Sequence, residues 1–354
     1  MVSRKSIATM LEDYQDIVVA TVCSHTSLQI FHGARQEGFR TLGIAVGQKP
    51  RFYDAFPLAK PDEFLVFDSY EDILDRADDL VARQIVTVPH GSFVEYMGAA
   101  NFGKLAVPTF GNRQVLAWEA DREKQREWLS SAGIDMPGKI DRPGDIDRPV
   151  FVKYYGAKGG RGSFIAKNQE DFKESIRPGM KYAIQEYIVG TRYYIHYFYS
   201  PLSEGGFRLS RGSLEMLGID RRDEANIDEM YKLGAQEALR KIGLLPTFVV
   251  TGNMPIVLRE SLLPAAFDMG ERAVEKSIEL FGGMIGPFCL ETIVTDQLRF
   301  KVFEISTRIV AGTNLFISGS PYADMVEQGM STGRRIAREL RIGQKLGRLD
   351  AILS

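Results

Sequence analysis

The chain has 354 residues and a nearly balanced charge, with 44 lysines and arginines against 46 aspartates and glutamates. This balance argues against a broad nucleic-acid-binding surface, and the length allows two or three domains with apolar cores. Two cysteines without a CxxC pair indicate neither a disulfide framework nor a zinc site. A polar N-terminus, and no apolar run near the roughly 20 residues that span a bilayer, predict a cytoplasmic protein without a membrane partner.

The first third of the chain alternates strand and helix signals. Apolar runs of strand length are separated by a predicted helix at Ser27–Gly38 and a charged helix at Tyr70–Arg83. Such alternation implies parallel pairing in an open, doubly wound sheet, whose ligands bind beyond the carboxyl ends of the strands. Polar clusters follow two of these ends, at residues 24–27 and 90–92. The predicted strands are residues 17–22, 41–46, 64–67 and 85–88.

The rest of the chain is predicted to be mixed α and β structure. A charged helix at Trp118–Ala132 is followed by a Pro-, Gly- and Asp-rich stretch at Asp135–Arg148, where we place a boundary. A β-rich block follows, at residues 151–154, 163–166, 182–188 and 193–199. A helix at Glu260–Phe281 then precedes a hairpin. The basic stretch Met330–Leu353 is predicted to be an amphipathic helix that packs on the core through Ile336, Leu340 and Leu346.

Lys153 ends an apolar strand just before a glycine-rich loop. The loop, residues 156–163, has four glycines in eight residues. Backbone N–H groups at Gly159, Gly160 and Gly162 could close on the oxygens of a phosphate. The loop lacks the GK[ST] of a Walker motif, and its alternative interpretation is a flexible hairpin turn. The lysine favours the phosphate site, because a strand lysine in an apolar context needs an anionic partner.

A second candidate segment closes the strand that ends near residue 188. Glu186, Tyr187 and Ile188 stand just before a glycine turn. A hinge of this kind can hold an adenine through its backbone groups, and a carboxylate there can hold ribose hydroxyls. The alternative is a plain strand end followed by a turn.

Glu291 and Glu304 are the sharpest signal in the sequence. If residues 288–294 and 298–305 form a hairpin, the two glutamates face each other at about 5 Å, where like charges repel. A divalent cation would remove that repulsion. The alternative is a pair of solvent-facing glutamates in a sheet with one polar face. Arg308, four residues further on, could balance a phosphate or an acyl phosphate.

The order of lysine, glycine loop, hinge and paired glutamates resembles the ATP-grasp superfamily. That resemblance implies two α+β subdomains that clamp ATP behind an N-terminal Rossmann-like domain. It divides the chain into an N-terminal domain (1–117), a connecting helix and linker (118–148), a lid subdomain (149–200) and a C-terminal subdomain with the metal site (201–354). The superfamily often has an asparagine where this chain has Ser306.

Further blocks resemble the archaeal formate-dependent ligases of purine biosynthesis. The resemblance implies that His25, Ser92 and Asn253 contact an aminoimidazole carboxamide ribonucleotide. It also implies that Glu224 contacts the nucleotide and that the paired glutamates hold Mg²⁺ or Mn²⁺. Seen without the family, His25 would be a helix-cap neighbour and Ser92 a turn residue. The blocks are residues 24–28, 88–93, 110–113, 199–202, 250–255 and 284–290.

The activity implied is formylation of the ribonucleotide amine with formate and ATP, through formyl phosphate. Lys153 would position the phosphates, and Arg308 would hold the formate or the intermediate. The implied partners are small-molecule substrates, with no nucleic acid, and the implied assembly is a homo-oligomer such as a hexamer. Two alternatives stay open at this point: another ATP-grasp ligase that joins a different carboxylate and amine, and a nucleotide-sensing paralogue without turnover.

Overall fold

The computed structural model describes residues 4–154, 163–226, 248–310 and 320–354. In these ranges the chain forms three sheets: one of four parallel strands, one of four antiparallel strands and one of six antiparallel strands. Within the described residues, no helix is long and apolar enough to cross a membrane.

The first sheet lies in the N-terminal third. Its strands are β1 (Val18–Val22), β2 (Arg40–Val46), β3 (Glu63–Phe67) and β4 (Ile85–Thr87), in the order β3-β2-β1-β4, and its helices are α1 (Arg4–Leu11), α2 (Ser27–Gln36), α3 (Asp72–Asp75), α4 (Ala77–Ala82) and α5 (Ala99–Phe102). All its pairs are parallel, as predicted. β1 is buried along its whole length, as in a parallel sheet covered on both faces.

The predicted helix at Tyr70–Arg83 is wrong as one element, because the structure has α3 and α4 there. Arg76, between them, leaves helical geometry with φ −103° and ψ 14°. The two helices are therefore only 4 and 6 residues long.

The connecting helix predicted at Trp118–Ala132 is also divided. It forms α6 (Val115–Glu119) and α7 (Arg122–Ser131), with Asp121 extended between them. The carboxylate of Asp121 accepts hydrogen bonds from the backbone N–H groups of residues 123 and 124. An aspartate in this position caps the second helix and thereby ends the first.

The second sheet is a small antiparallel layer. It consists of β5 (Lys139–Ile140), β6 (Val150–Tyr154), β7 (Phe164–Ala166) and β8 (Tyr182–Glu186) in the order β5-β8-β6-β7, and α8 (Gln169–Ser175) packs beside β7. The glycine loop between β6 and β7, with the predicted contacts Gly159, Gly160 and Gly162, lies outside the described residues.

The third sheet is the largest. Its strands are β9 (Thr191–Ser200), β10 (Phe207–Arg208), β11 (Ser213–Asn226), β12 (Phe248–Pro255), β13 (Gly286–Val294) and β14 (Phe300–Ser306); the order is β10-β11-β9-β13-β14, and β12 pairs with β11. The long helix α9 (Leu263–Phe281) follows a 3-10 turn at residues 260–262. It packs on one face of the sheet, where the Tyr197 hydroxyl donates to the Ala266 carbonyl at 2.6 Å. The other face carries the candidate site.

A C-terminal helix, α10 (Thr332–Leu346), joins the first sheet to the third. It crosses α2 so closely that a Cβ on Gly33 would lie 2.2 Å from the backbone nitrogen of Arg334. Only glycine fits such a crossing, so the N-terminal layer is held against the C-terminal part of the chain.

The prediction for this helix is confirmed in part. Ile336 and Leu340 are buried, as expected, but Leu346 is 57 % exposed. The helix ends at Gly347, which adopts a left-handed φ of +62°, well before the predicted end. Leu346 is thus on the last turn, beyond the packed part of the helix.

Two strands pair in a different sheet from the one that the predicted subdomain boundaries imply. β5 pairs in the second sheet although it precedes residue 149, and β9 pairs in the third sheet although it precedes residue 201. The division into 1–117, 118–148, 149–200 and 201–354 stays a prediction.

Candidate active site

Glu291 and Glu304 lie directly opposite each other on β13 and β14, as the sequence predicted. Beside them the register shifts, because the next pair is Thr292 with Val302. Phe303 is therefore the extra residue of a β-bulge, a feature that re-aims side chains near functional sites. The two glutamates are thus held as a directly paired position on adjacent strands.

The two glutamates differ in their surroundings. Glu291 is buried, and its carboxylate contacts the Arg222 guanidinium at 3.4–3.5 Å and the Ser306 hydroxyl at 3.4 Å. Glu304 is accessible to solvent, but protein surrounds it closely. The loss of hydration there, followed by the charge of Glu291, raises the pKa of Glu304, while Lys153 opposes that rise. The pair thus carries charge that a cation would stabilise.

Three ion pairs lie on this same face of the sheet. Arg192 on β9 contacts Glu224 on β11 at 3.0 Å, and Arg222 on β11 reaches Glu291 on β13. His196 and Asp220 form the third pair at 2.9 Å. Burial works against a charged His196, but Cys289 and Asp220 outweigh it and raise the pKa of His196 to about 10. The predicted nucleotide residue Glu224 is thus part of a charged row.

Lys153 faces this row from the second sheet. Its ammonium nitrogen lies 5.6 Å from the ring centroid of Phe151 and 5.5 Å from that of Phe303. Burial lowers the pKa of Lys153, and the charge of Glu304 is the largest effect that opposes this. Among the described residues, no carboxylate lies within ion-pair distance of Lys153. An anion between the two sheets would supply the partner that the sequence predicted.

The chain after β14 carries Arg308 to the N-terminal sheet. Ile309 forms a parallel bridge with His90, and the charge of Arg308 contributes to lowering the pKa of His25, after burial and against Glu95. Arg308 also pairs with Glu119 at 2.6 Å, so part of its charge is balanced within the protein. Its Nε is buried without a hydrogen-bond partner within the described part of the chain.

Glu119, which sequence reasoning missed, fixes this segment. Its second carboxylate oxygen accepts hydrogen bonds from both the backbone N–H and the hydroxyl of Thr307, each at 2.8 Å. Gln125 on α7 accepts a hydrogen bond from the N–H of Ile305 at 3.3 Å. Neither residue belongs to a recognisable motif. Glu119 and Gln125 lie on either side of the break between α6 and α7, and only their hydrogen bonds to residues 305 and 307 relate them to the site.

The predicted ribonucleotide contacts fall in two places. His25 is exposed at the carboxyl end of β1, with a left-handed φ of +36°, and its ring is parallel to that of Tyr96 at 6.4 Å. Ser92, which follows the neighbouring strand β4, has a buried hydroxyl without a hydrogen-bond partner among the described residues. Asn253 lies on β12 directly opposite Arg222, and its side-chain oxygen is equally unpaired. Buried polar atoms without partners are costly, so both positions are suited to a polar ligand.

The predicted hinge links the second and third sheets. Glu186 accepts a hydrogen bond from the N–H of Gly138, and the N–H of Tyr187 donates to the Pro149 carbonyl at 3.1 Å. Ile188 follows, outside any strand. At Gly190 a Cβ would lie 2.3 Å from the Val294 carbonyl oxygen, so this turn requires glycine.

The structure therefore relates five of the predicted residues through pairing and charge. Lys153 faces the glutamate pair from the second sheet, while Arg308, four residues after Glu304, acts through its charge on His25. Sequence reasoning missed Arg222 because its strand, β11, was not predicted. A sign of it was present, since Asp220, Arg222 and Glu224 alternate with residues that face the other way.

Comparisons with known proteins agree along the whole chain. Two family models match: one described as a domain of unknown function (DUF1297), over residues 169–354, and one described as a protein of unknown function (DUF1246), over residues 19–140. The 5-formaminoimidazole-4-carboxamide-1-(beta)-D-ribofuranosyl 5'-monophosphate synthetase of Methanothrix thermoacetophila is 62% identical, and that of Methanococcoides burtonii is 61% identical. Each alignment covers 100% of both chains.

Solved structures extend this likeness to the fold. An IMP biosynthesis protein PurP from Thermococcus kodakaraensis is 32% identical with a TM-score of 0.72, covering 95% of this chain and 100% of that one. The N5-carboxyaminoimidazole ribonucleotide synthetase of Thermotoga maritima, 16% identical, has a TM-score of 0.59 over 92% of this chain and 76% of that one. The fold is ATP-grasp, as the resemblance implied. The chain belongs to the family of 5-formaminoimidazole-4-carboxamide-1-(beta)-D-ribofuranosyl 5'-monophosphate synthetases.

Proposed function

We propose that this protein is an ATP-dependent carbon–nitrogen ligase of purine biosynthesis, which formylates 5-aminoimidazole-4-carboxamide ribonucleotide with formate. The observation that carries the proposal is the opposed pair Glu291 and Glu304 with Lys153 facing it, in a chain of this family. The intact pair and lysine favour an enzyme over a nucleotide sensor.

The donor set fits a divalent metal ion. Two carboxylates and the nearby Ser306 hydroxyl are hard oxygen ligands, the type that Mg²⁺ and Mn²⁺ prefer. No third His, Cys, Asp or Glu joins them within the described ranges, so phosphate oxygens would complete the shell. A bound Mg²⁺ or Mn²⁺ would neutralise charge on the phosphates of ATP.

The protein's own groups would position the ATP. Lys153 would hold the terminal phosphates from the second sheet, with Gly159, Gly160 and Gly162 closing over them. Backbone groups at the hinge, Glu186 to Ile188, would hold the adenine. Glu224 would hold the ribose from the neighbouring strand, an orientation that its ion pair with Arg192 supports.

The chemistry proceeds in two steps. A formate oxygen attacks the γ-phosphorus of ATP, which releases ADP and forms formyl phosphate. The amine of the ribonucleotide then attacks the formyl carbon, loses a proton and displaces inorganic phosphate. Arg308 would hold the formate, because its buried Nε has no hydrogen-bond partner among the described residues and Glu119 engages only part of the guanidinium. Formyl phosphate hydrolyses readily, so the site must exclude water.

The ribonucleotide would lie between the N-terminal sheet and this pocket. His25 and Ser92 stand at the carboxyl end of the parallel strands, the usual place for such a ligand. Asn253 would reach it from β12. The family also favours a homo-oligomer such as a hexamer and a cytoplasmic location, which we include in the proposal.

Calorimetric titration tests the substrate assignment. We expect His25→Ala and Ser92→Ala to weaken binding of the imidazole ribonucleotide by about tenfold each, the loss of one hydrogen bond to a charged or polar ligand. ATP affinity should change less than twofold, about the scatter of such titrations. Ser130→Ala, which removes an exposed hydroxyl on α7, is the matched control. Equal loss of both affinities, or no ribonucleotide binding by the wild type, would overturn the assignment.

A further inference from the structure

Arg222 is the cation that faces Glu291. Its guanidinium lies 3.6 Å from the ring centroid of Tyr194, and its side chain is only 12% exposed. The contacts to both oxygens of Glu291, at 3.4–3.5 Å, are longer than the roughly 2.8 Å of a tight charged hydrogen bond. Stacking on the ring therefore fixes the guanidinium, and the pairing with Glu291 is loose.

The neighbouring cations have other partners or lie further away. Arg192 is paired with Glu224 at 3.0 Å. Lys153 and Arg122 act on Glu304 through charge, and no ion-pair contact joins them to Glu291 in the part of the chain described. Within that part, Arg222 is the ion-pair partner of Glu291.

A positive charge at this point opposes a metal ion on the same carboxylate. We propose that Arg222 competes with the divalent cation for Glu291, so that the cation binds well only together with the nucleotide. The inference rests on the proposed function, since it assumes that Glu291 and Glu304 are the metal ligands. It assigns a role to a residue outside the predicted site.

Binding of the ATP phosphates would end the competition between Arg222 and the divalent cation for Glu291. The guanidinium has a planar set of donors that matches phosphate oxygens, and a loose pair is easily exchanged. Once the guanidinium, still stacked on Tyr194, donates to a phosphate and not to Glu291, both oxygens of Glu291 are available to the cation. Metal and nucleotide would then favour each other's binding through Arg222, in addition to their direct contact.

Two separate titrations test this role. Electron paramagnetic resonance measures the affinity for Mn²⁺ without nucleotide, and calorimetry measures the affinity for ATP in the presence of a chelator. For Arg222→Gln we expect Mn²⁺ to bind about tenfold more tightly and metal-free ATP to bind about tenfold more weakly, each a change of about 1.4 kcal/mol. Damage to the fold would weaken both. Arg222→Met, whose thioether can pack on Tyr194, is a second neutral variant in case the glutamine is poorly tolerated.

Two controls separate the possible failures. Arg221→Gln removes the same charge from the preceding residue, which is exposed, and should change neither the affinity for Mn²⁺ nor the affinity for ATP. Glu304→Gln should abolish Mn²⁺ binding, so that the signal of free Mn²⁺ stays at full height; if binding persists, the proposed metal site itself is wrong. If Mn²⁺ requires Glu304 but binds no more tightly to folded Arg222→Gln or Arg222→Met, the metal site stands and the role of Arg222 is rejected.

Discussion

Glu304→Gln is expected to lower formate-dependent ATP turnover by about a thousandfold or more, the effect of losing about 4 kcal/mol of charge stabilisation. The amide keeps the shape of the side chain but removes one of two charges opposed across the hairpin. A cation that needs both carboxylates would then be held weakly. Phosphate release, measured over a range of magnesium concentrations, shows the loss.

The fold should not suffer from this change. The loss of hydration around Glu304 and the charge of Glu291 raise the pKa of Glu304, so its charge is unfavourable in the folded protein without a cation. The melting temperature without metal should therefore stay the same or rise. Asp296→Asn, the same exchange at the exposed turn of the same hairpin, should leave turnover intact. Wild-type turnover of Glu304→Gln at low magnesium would remove Glu304 from the site.

Lys153→Met should lower kcat/KM for ATP by about a hundredfold to a thousandfold, as expected for the loss of a positioned cation on a phosphate. The ammonium lies near two aromatic rings, Phe151 and Phe303, on which a methionine of similar length can pack. Because burial lowers the pKa of Lys153, its charge costs stability, and the variant should fold at least as well.

The matched control is Lys167→Met, an exposed lysine in the same small sheet region. Steady-state kinetics with ATP varied should show no change for this control. If turnover of Lys153→Met stays within about twofold of wild type, a change far smaller than the expected loss, the lysine does not reach the phosphates.

The sequence was sufficient for the parts of the fold that follow a regular pattern. The opposition of Glu291 and Glu304 was predicted, because two segments of strand length flank a short turn, but the β-bulge at Phe303 was not predicted. The parallel N-terminal sheet was predicted because strands and helices alternate at regular spacing. In both cases local pattern and tertiary pairing point to the same structure.

Other features depend on contacts that no local pattern reveals. β11 was missed because Asp220–Glu224 is a charged run, and its charges are satisfied only across strands, as in the pair Arg222 and Glu291. Glu119 was missed because it reaches the site through Thr307, far along the chain. The break in the connecting helix was missed because Asp121 adopts an extended conformation and caps the second helix, where the sequence pattern predicted that one helix would continue.

The most direct test of the account uses formate labelled with oxygen-18 in both carboxylate positions. If formate is phosphorylated, the oxygen that bridges carbon and phosphorus comes from formate, and attack of the amine at carbon leaves it on phosphorus. Mass spectrometry of the products should then find one labelled oxygen in the inorganic phosphate and one in the formylated ribonucleotide. Formylated product together with unlabelled phosphate would contradict formyl phosphate, and formylation only with a folate donor would reject the formate ligase.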